Sequence, residues 1–524
     1  MSRSSAGRDA AGLAALLLLL LAVGLARPLL PIDETRYAAV AWEMWTRHQW
    51  LVPHLNGEPY TQKPPLLFWL MHAGWAAFGV HEWWPRLISP LFAAGTLAAT
   101  VGLARGLWPQ RPSVACMAPF VLLASSLYAY FASALMFDAM LSFFVSLGLL
   151  GIVRAWRRAD LRGGFVMLAL GLIGALYSKG PVALVHLLPA ALLAPCWMRE
   201  LRPSWRPWML GVAAALGVGA VAILAWAVPA AMAGGSAYGR AIFWGQTAGR
   251  LSESFAHAAP WYAYLVALPG LLAPWLVWPR WWRGWIAALK DDSGLRLVLL
   301  VMAVSLLVFS AASGKRWHYL LPEFPLFALL VARALDGAPP PRRWSHALPA
   351  ITLIAVGATA VAAAPRLAAR LGGLQDASAL IAGGAVAALA GAVLLALRPG
   401  DAVRDVRRIA TATLVGVAAL LVAVQVAMRE PYDMHAVAER ITGFEREGRP
   451  VAVAGGYHGQ WSFSGRLHAP LEEIEPEQAA EWLARHPAGR VLLPYRGARD
   501  LPDGLQVLYS RRYRGQSIAI LAPG

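Results

Sequence analysis

The chain is built from long apolar blocks, and these limit its fold more than any other feature. Ala11–Leu30, Leu87–Ala104, Val114–Ser133 and Val212–Met232 are each close to the ~20 residues a helix needs to cross ~30 Å of hydrocarbon. Similar blocks recur to about Ala427. The 524 residues are 58% apolar and only 14% charged, whereas soluble domains carry about 25% charged residues. The blocks therefore imply an all-α polytopic membrane protein with about 13 transmembrane helices. Leu16–Ala22 resembles a signal-peptide core, but Arg27, Pro28 and Pro31 follow it in place of a small-residue cleavage site. It reads as a retained first span.

A formal charge of +17 would suggest nucleic acid in a soluble protein. Here most arginines lie in short loops between spans, where they report topology, and no nucleic-acid partner is implied. Arg105–Ser113, Arg154–Arg162, Arg199–Trp208, Arg280–Arg296, Asp336–Arg343 and Arg398–Arg408 are Arg-rich, as is the N-terminal tail. The positive-inside rule places them in the cytoplasm. Leu135–Phe137, Ser178–Gly180, Ala233–Ala259, Ser313–Tyr319 and Pro365–Ser378 then face the opposite side. Pro64–Val80 is apolar but short; counting it as a span would invert every later loop, so it reads as an interfacial or re-entrant helix. Cys116 and Cys196 fall inside apolar blocks without metal-ligand spacing and read as core residues.

The organisation expected is a transmembrane domain over residues 1–430, with a first outer loop at 31–85 carrying interfacial helices, and a small α/β domain over 431–524. In the latter, Asp433–Glu447 and Glu477–His486 read as helices, and Pro450–Ala454, Arg490–Leu493, Leu505–Leu508 and Ser517–Leu521 as strands. The charge argument puts this domain outside the cytoplasm.

Ionisable residues at membrane depth are functional candidates because they are costly there. Six clusters qualify. The first is Asp33-Glu34-Thr35-Arg36-Tyr37, opening a helix whose Ala38, Ala41, Met44 and Trp45 would form an apolar face on the bilayer. Its carboxylates serve either as cap and interfacial charge or as a general base. The second is Gly57 to Pro65, where Tyr60 and Lys63 could grip a lipid phosphate, or Lys63 could simply snorkel beside an aromatic anchor. Asp138, at the start of a span, could be no more than a cap. Ser178-Lys179-Gly180-Pro181 reads as a tight outer turn. Phe243–Tyr264 holds Gln246, Arg250 and His257, and Lys315-Arg316-Trp317-His318-Tyr319 is the sixth. A topology drawn from arginine counts puts all six on the outer face, and unrelated caps would divide between the two. Acidic sites, cations and aromatics on one face suit an anionic lipid-linked substrate with acid–base chemistry beside it. A Walker A loop and a His-Glu-x-x-His motif are both missing from the sequence. Gly455-Gly456-Tyr457-His458-Gly459 reads as a turn after a strand.

Five of these motifs, in order, resemble the bacterial lipid A aminoarabinose transferase family: Asp33 to Tyr37, Gly57 through Tyr60 to Lys63-Pro64-Pro65, Phe137-Asp138-Ala139-Met140, Ser178-Lys179-Gly180 and Tyr319-Leu320-Leu321-Pro322. That family is related to protein O-mannosyltransferases and shares the membrane glycosyltransferase C fold. The resemblance covers about residues 10 to 335. It implies an inner-membrane enzyme whose site and C-terminal domain face the periplasm. Such an enzyme makes an inverting transfer from a polyprenyl (undecaprenyl) phosphate sugar to lipid A or another envelope lipid, glycan or protein. By resemblance Asp33 is the catalytic carboxylate and Asp138 a second acidic position. Lys63 binds the donor phosphate, with Arg36, Tyr60, Arg250 and Tyr319 as further donor-site groups. Glu34, Gln62, Lys179, Gln246, His257, Lys315 and His318 are further candidates from the six clusters.

Two departures bear on the sugar. The family commonly has Glu before Lys-Pro-Pro, where this chain has Gln62, and a Glu-His pair shortly before the arginine at 250, where it reads Gly245-Gln246-Thr247-Ala248-Gly249. Losing a carboxylate and an imidazole favours a neutral hexose or pentose and counts against a bound metal, so no cofactor is assigned. A lipid or sugar-lipid transporter is the rival reading. It would place ionisable groups near the midplane on broken helices, and here they cluster at one face.

Overall fold

A computed structural model describes the chain except residues 1–2, 158–159, 200–203, 246–258, 283–291, 339 and 372–373. Helices dominate up to Tyr432 and a mixed sheet follows. Among the described residues, nine helical runs are long and apolar enough to cross a membrane, and Ala10–Leu25, Leu66–Phe78 and Pro112–Leu123 are shorter apolar helices. Length had suggested about 13. Part of the difference is at Leu161–Leu192, a single run in which a 3-10 turn at Gly180–Val182 separates α8 (Leu161–Lys179) from α9 (Ala183–Leu192).

Several boundaries differ from the sequence reading. Val114–Ser133 is not one span: α5 (Pro112–Leu123) ends and α6 (Ser126–Phe131) begins after a break at Ala124–Ser125. The expected loop from Ala233 is helical to Arg240, because α11 (Trp205–Arg240) continues past a break at Gly235, where φ is +81°. Pro365 lies inside the helix Ala347–Leu371, so little of the expected loop Pro365–Ser378 exists before the helix Leu374–Ala396. Cys116 is half-buried and Cys196 exposed, so neither is a core residue.

The first outer loop folds as α2 (Asp33–Thr46), a two-stranded ribbon of β1 (His54–Leu55) and β2 (Glu58–Pro59), and α3 (Leu66–Phe78). At 13 residues, α3 is about 20 Å long and cannot span ~30 Å of hydrocarbon. The expectation for α2 was a face laid on the bilayer. Instead Tyr37 to Trp42 and Met44 are all buried, as in a helix enclosed by protein on every side. The enclosure comes from α3 and from the C-terminal region.

Helix α7 (Phe137–Arg157) and α8 form an antiparallel hairpin. Its closeness depends on small residues: a Cβ at Gly151 would lie 2.5 Å from the Gly164 carbonyl oxygen, the tight crossing typical of helices packed in lipid. Because the two helices are 21 and 19 residues long, the start of α7 and the end of α8 finish at the same level. Asp138 and Lys179 occupy those two ends.

Beyond α12 (Ala402–Tyr432) and α13 (His435–Arg446), strands β3 (Val451–Ala454), β4 (Glu472–Ile474), β5 (Arg490–Tyr495), β6 (Leu505–Tyr513) and β7 (Gln516–Pro523) form one sheet in the order β4-β3-β5-β7-β6. The β4-β3-β5 part is parallel and β7 and β6 are antiparallel. The strands expected from alternation are present, but β4, with only three residues, was missed. Met434, Val437 and Ile441 are buried in the core beneath this sheet, as their spacing suggested.

This C-terminal unit sits directly on α2 and α3. The Trp42 indole N–H donates to the Leu467 carbonyl at 2.8 Å. The Asn56 amide bonds the Leu471 backbone in both directions at 2.8 Å, and Trp75 stacks on Phe463 at 5.1 Å. Gly459 touches α2 with φ at +74°, and an added Cβ would lie 2.6 Å from the Cβ of Ala39. Gly459→Ala is expected to destabilise the protein by roughly 1–3 kcal/mol through overpacking and left-handed backbone strain. Thermal unfolding in detergent checks this, and an unchanged midpoint would show that the contact carries no stability.

Candidate active site

Helix α2 begins with its two acidic residues in the first turn, where the helix dipole favours negative charge. Their environments differ. Glu34 is buried and takes both terminal nitrogens of Arg27. It also accepts the backbone N–H groups of Leu30 at 2.8 Å and Leu135 at 2.9 Å. Every lone-pair direction is in use, so Glu34 clamps the end of α1 (Arg3–Leu25) to the segment before α7. Asp33 is partly exposed and pairs with Arg36 one turn along the helix. Ile32, not Asp33, occupies the capping position, and no side-chain cap is formed, so the simple capping role does not apply.

Asp33 and Glu34 line a cavity of about 460 Å³. Its walls also include Tyr130, Phe131, Lys315, Arg316, His318 and Tyr432. Lys315 is buried and donates to the Ala312 carbonyl at 2.6 Å, closing the end of the helix Ser293–Ala311.

Beside the cavity, Asp138 is 2% exposed and ion-paired to Lys179. It also interacts electrostatically with His318 and Lys63. The Lys179 ammonium lies 4.7 Å from the centre of the Tyr319 ring, within cation–π range. Arg36 is in electrostatic contact with Tyr60, Tyr37 and Asp33. Burial would lower its pKa, but these groups outweigh burial and raise it, so the guanidinium stays charged. Burial pushes the Tyr37 phenol up, and Tyr60 and Asp33 add to the effect, so it stays protonated.

A run of edge-to-face rings joins the motif segments: Tyr37 to Phe137 at 4.9 Å, Phe137 to Phe68 at 5.6 Å and Phe68 to Tyr60 at 6.2 Å. Each pair favours one mutual orientation, which holds α2, the β2–α3 segment and α7 together. Asp33, Arg36, Tyr60, Lys63, Asp138, Lys179, His318 and Tyr319 thereby gather at one end of the bundle. Gln62 is exposed at this end. Gln246, Arg250 and His257 lie outside the described residues.

Sequence reasoning passed over three groups. Arg316 was quoted with its motif but given no role. Tyr130 and Arg27 sat in or beside apolar blocks, and only the seven-residue spacing from Arg27 to Glu34 hinted at the clamp. Among the described residues no three His, Cys, Asp or Glu side chains come together as a metal-binding set. Asp33, Glu34 and Asp138 are each already paired with a cation of the chain.

Structural comparison decides the architecture. The chain superposes on apo ArnT from Cupriavidus metallidurans with a TM-score of 0.80, covering 99% of this chain and 98% of that one at 19% identity. The fold is that of ArnT. The undecaprenyl phosphate-bound structure of the same protein gives 0.77, with 98% of each chain covered, also at 19% identity. A more distant likeness, TM-score 0.52 at 11% identity, is to the archaeal oligosaccharyltransferase AglB from Archaeoglobus fulgidus, covering 94% of this chain and 70% of that one. The likeness to ArnT extends over nearly the whole chain, including the C-terminal sheet beyond Tyr432.

Sequence relationships cover less of the chain. Residues 28–234 match the family of dolichyl-phosphate-mannose-protein mannosyltransferases. The undecaprenyl phosphate-alpha-4-amino-4-deoxy-L-arabinose arabinosyl transferase 1 of Pseudomonas fluorescens is 31% identical over 335 residues, which is 61% of this chain and 59% of that protein. The corresponding transferase of Pectobacterium carotovorum is 32% identical over 319 residues, 59% of this chain and 55% of its own. The match spans about three-fifths of the length of these curated relatives. The resemblance read from the five motifs is borne out over that part, and all five lie within the ArnT fold.

Proposed function

We propose that the chain is an inverting glycosyltransferase that moves a sugar from a polyprenyl phosphate donor to an envelope acceptor at the outer face of a bacterial inner membrane. The observation that carries this reading is the convergence of Asp33–Arg36, Tyr60, Lys63, Asp138–Lys179 and His318 at one end of an ArnT-type bundle, where Asp33 and His318 line one cavity. The relatives named above supply the donor class, and lipid A is the acceptor the family resemblance implies. The domain division at residue 430, and a periplasmic site and C-terminal unit, belong to the same proposal; the one-sided arginine distribution supports them.

The chemistry follows from where charge develops. As the bond between the sugar carbon and the phosphate oxygen breaks, negative charge grows on the leaving phosphate. Lys63 and Arg36 stabilise it electrostatically, and Tyr60 donates a hydrogen bond. Asp138 holds Lys179 and neutralises part of this dense positive charge. Asp33 takes the proton of an acceptor hydroxyl as it attacks from the opposite face of the ring. An acceptor that is already ionised needs no base, and Asp33 then positions it.

A second reading changes only the sugar. The exposed amide of Gln62 stands where the related transferases commonly carry a carboxylate, so it lacks the charge that would attract an amino sugar. A neutral hexose or pentose, passed to a lipid, glycan or protein, is consistent with that difference.

The test is direct. Purified protein in detergent is incubated with undecaprenyl phosphate-linked aminoarabinose, hexoses and pentoses together with lipid A, and undecaprenyl phosphate release is followed. Lys63→Ala is expected to lower the rate about 10²- to 10³-fold, the size seen when one oriented electrostatic group is removed. Equal turnover by wild type and Lys63→Ala would remove the phosphate-binding role. No release from any donor, together with movement of labelled lipid between vesicles, would favour a transporter.

A further inference from the structure

One ionisable pair inside the spans has no part in the site described above. His186 is fully buried and Glu323 is 6% exposed, and both belong to runs long and apolar enough to cross a membrane. His186 Nδ1 and Glu323 Oε1 share a hydrogen bond at 2.7 Å. Among the described residues, His186 Nε2 and Glu323 Oε2 have no hydrogen-bond partner. Glu323 stands at the N-cap of the helix Phe324–Asp336, yet its side chain makes no capping bond there. It turns instead to an imidazole 137 residues away in the chain. Stability is a weak reason for such a pair, because two apolar side chains of similar volume would avoid the desolvation and leave no polar atom unpaired. Ionisable groups inside a span are functional candidates for the same reason.

The pair joins the two segments that carry Lys179 and Tyr319. His186 lies in the first turn of α9, which follows Lys179 after only the short turn Gly180–Val182. Glu323 ends the 3-10 run Trp317–Glu323 that holds His318 and Tyr319. A second link runs through rings: His186 to Phe309 at 5.3 Å and Phe309 to Tyr319 at 5.9 Å. Phe309 is buried in the last turn of the helix Ser293–Ala311. Beyond these links, the Lys179 ammonium lies 4.7 Å from the centre of the Tyr319 ring and is ion-paired to Asp138. The contact between Lys179 and Tyr319 therefore depends on the relative placement of two separate segments. The His186–Glu323 hydrogen bond fixes those segments to each other.

We propose that the His186–Glu323 pair is a positioning element of the transfer site: it ties α9 to the turn Trp317–Glu323 and so holds the Tyr319 ring against the Lys179 ammonium. This rests on the glycosyltransferase reading and adds two residues to it. A ring held at 4.7 Å fixes where the Lys179 ammonium sits. That ammonium balances Asp138, which also interacts with Lys63 and His318. A shift of the turn would change this balance beside Lys63, and a misplacement of about 1 Å costs about 10²-fold in rate. Neither residue of the pair lines the cavity beside Asp33. Both act through Tyr319 and Lys179, and no bond is made or broken at either.

The test uses the full chain in detergent, with undecaprenyl phosphate binding and undecaprenyl phosphate release from sugar-linked donors as separate readings. His186→Leu with Glu323→Met replaces the pair by apolar residues of similar volume, so thermal unfolding is expected at or above the wild-type midpoint. Binding should weaken about tenfold, the scale of one cation–π contact, and release should fall about 10²-fold. In a Tyr319→Leu background the same double substitution should change either reading by less than about twofold. Glu323→Gln, which keeps the hydrogen bond to His186, should retain most of both. His186→Asn is polar but too short to hold Glu323 at the same distance, and it runs the same cycle if the apolar pair unfolds. Equal losses with and without Tyr319, as expected of a pair that only holds the fold together, would overturn the proposal. So would a Glu323→Gln loss as large as that of the double variant, which would assign the carboxylate a charge role. No release from any donor, with the binding cycle as expected, would support the positioning element and sink the transferase reading alone.

Discussion

Asp33→Asn is expected to lower sugar transfer about 10²- to 10⁴-fold, the usual contribution of a positioned general base, with little change in thermal stability. The side chain is partly exposed, lines the cavity and has Arg36 as its ion-pair partner. Asparagine keeps its size and its carbonyl acceptor but cannot take a proton. The partly exposed Asp33–Arg36 pair, one helical turn apart, contributes only modestly to folding, so rate and stability should separate. Undecaprenyl phosphate release checks the rate and unfolding in detergent checks the fold. A loss below about tenfold would remove the base role and leave Asp33 as a positioning group for an acceptor already ionised.

Glu34, the next residue, should behave in the opposite way. Glu34→Ala leaves the Arg27 guanidinium buried without its partner and two backbone N–H groups without acceptors. Breaking a buried ion pair from one side typically costs 3–5 kcal/mol, so a large fall in the unfolding midpoint is expected. Glu34→Gln, which keeps volume and one acceptor, should lose less. Because Glu34 ties α1 to the start of α7, its loss also displaces Asp138, and activity falls as a consequence of the fold. An Ala variant with wild-type stability and reduced turnover would reverse this assignment and make Glu34 a catalytic group. Adjacent carboxylates with opposite signatures, one kinetic and one structural, are the clearest check on the site.

The two residues also show where sequence reading reaches its limit. Asp33 and Glu34 are the same kind of residue in the same motif, and only the partners brought by the fold separate them. Arg27 reaches Glu34 because α1 ends just before it; Arg36 reaches Asp33 because they are one turn apart. Asp138 and Lys179 are 41 residues apart in the chain, and no local pattern pairs them. The similar lengths of α7 and α8, 21 and 19 residues, do so.

The membrane class, the position of the short helix α3 and most strands of the C-terminal sheet follow from the sequence alone. Block length against bilayer thickness, and alternation against a half-buried sheet, are local properties. The motif order likewise carries the family resemblance. The tertiary structure alone decided that α2 is buried between α3 and the C-terminal unit, not laid on a bilayer. An apolar face does not say whether lipid or protein covers it. It also decided that the glycine-containing turn after β3, plain in the sequence, packs against α2. That placement depends on a close contact between Gly459 and Ala39, residues separated by most of the chain, and a long-range packing contact leaves no mark in any short stretch of sequence.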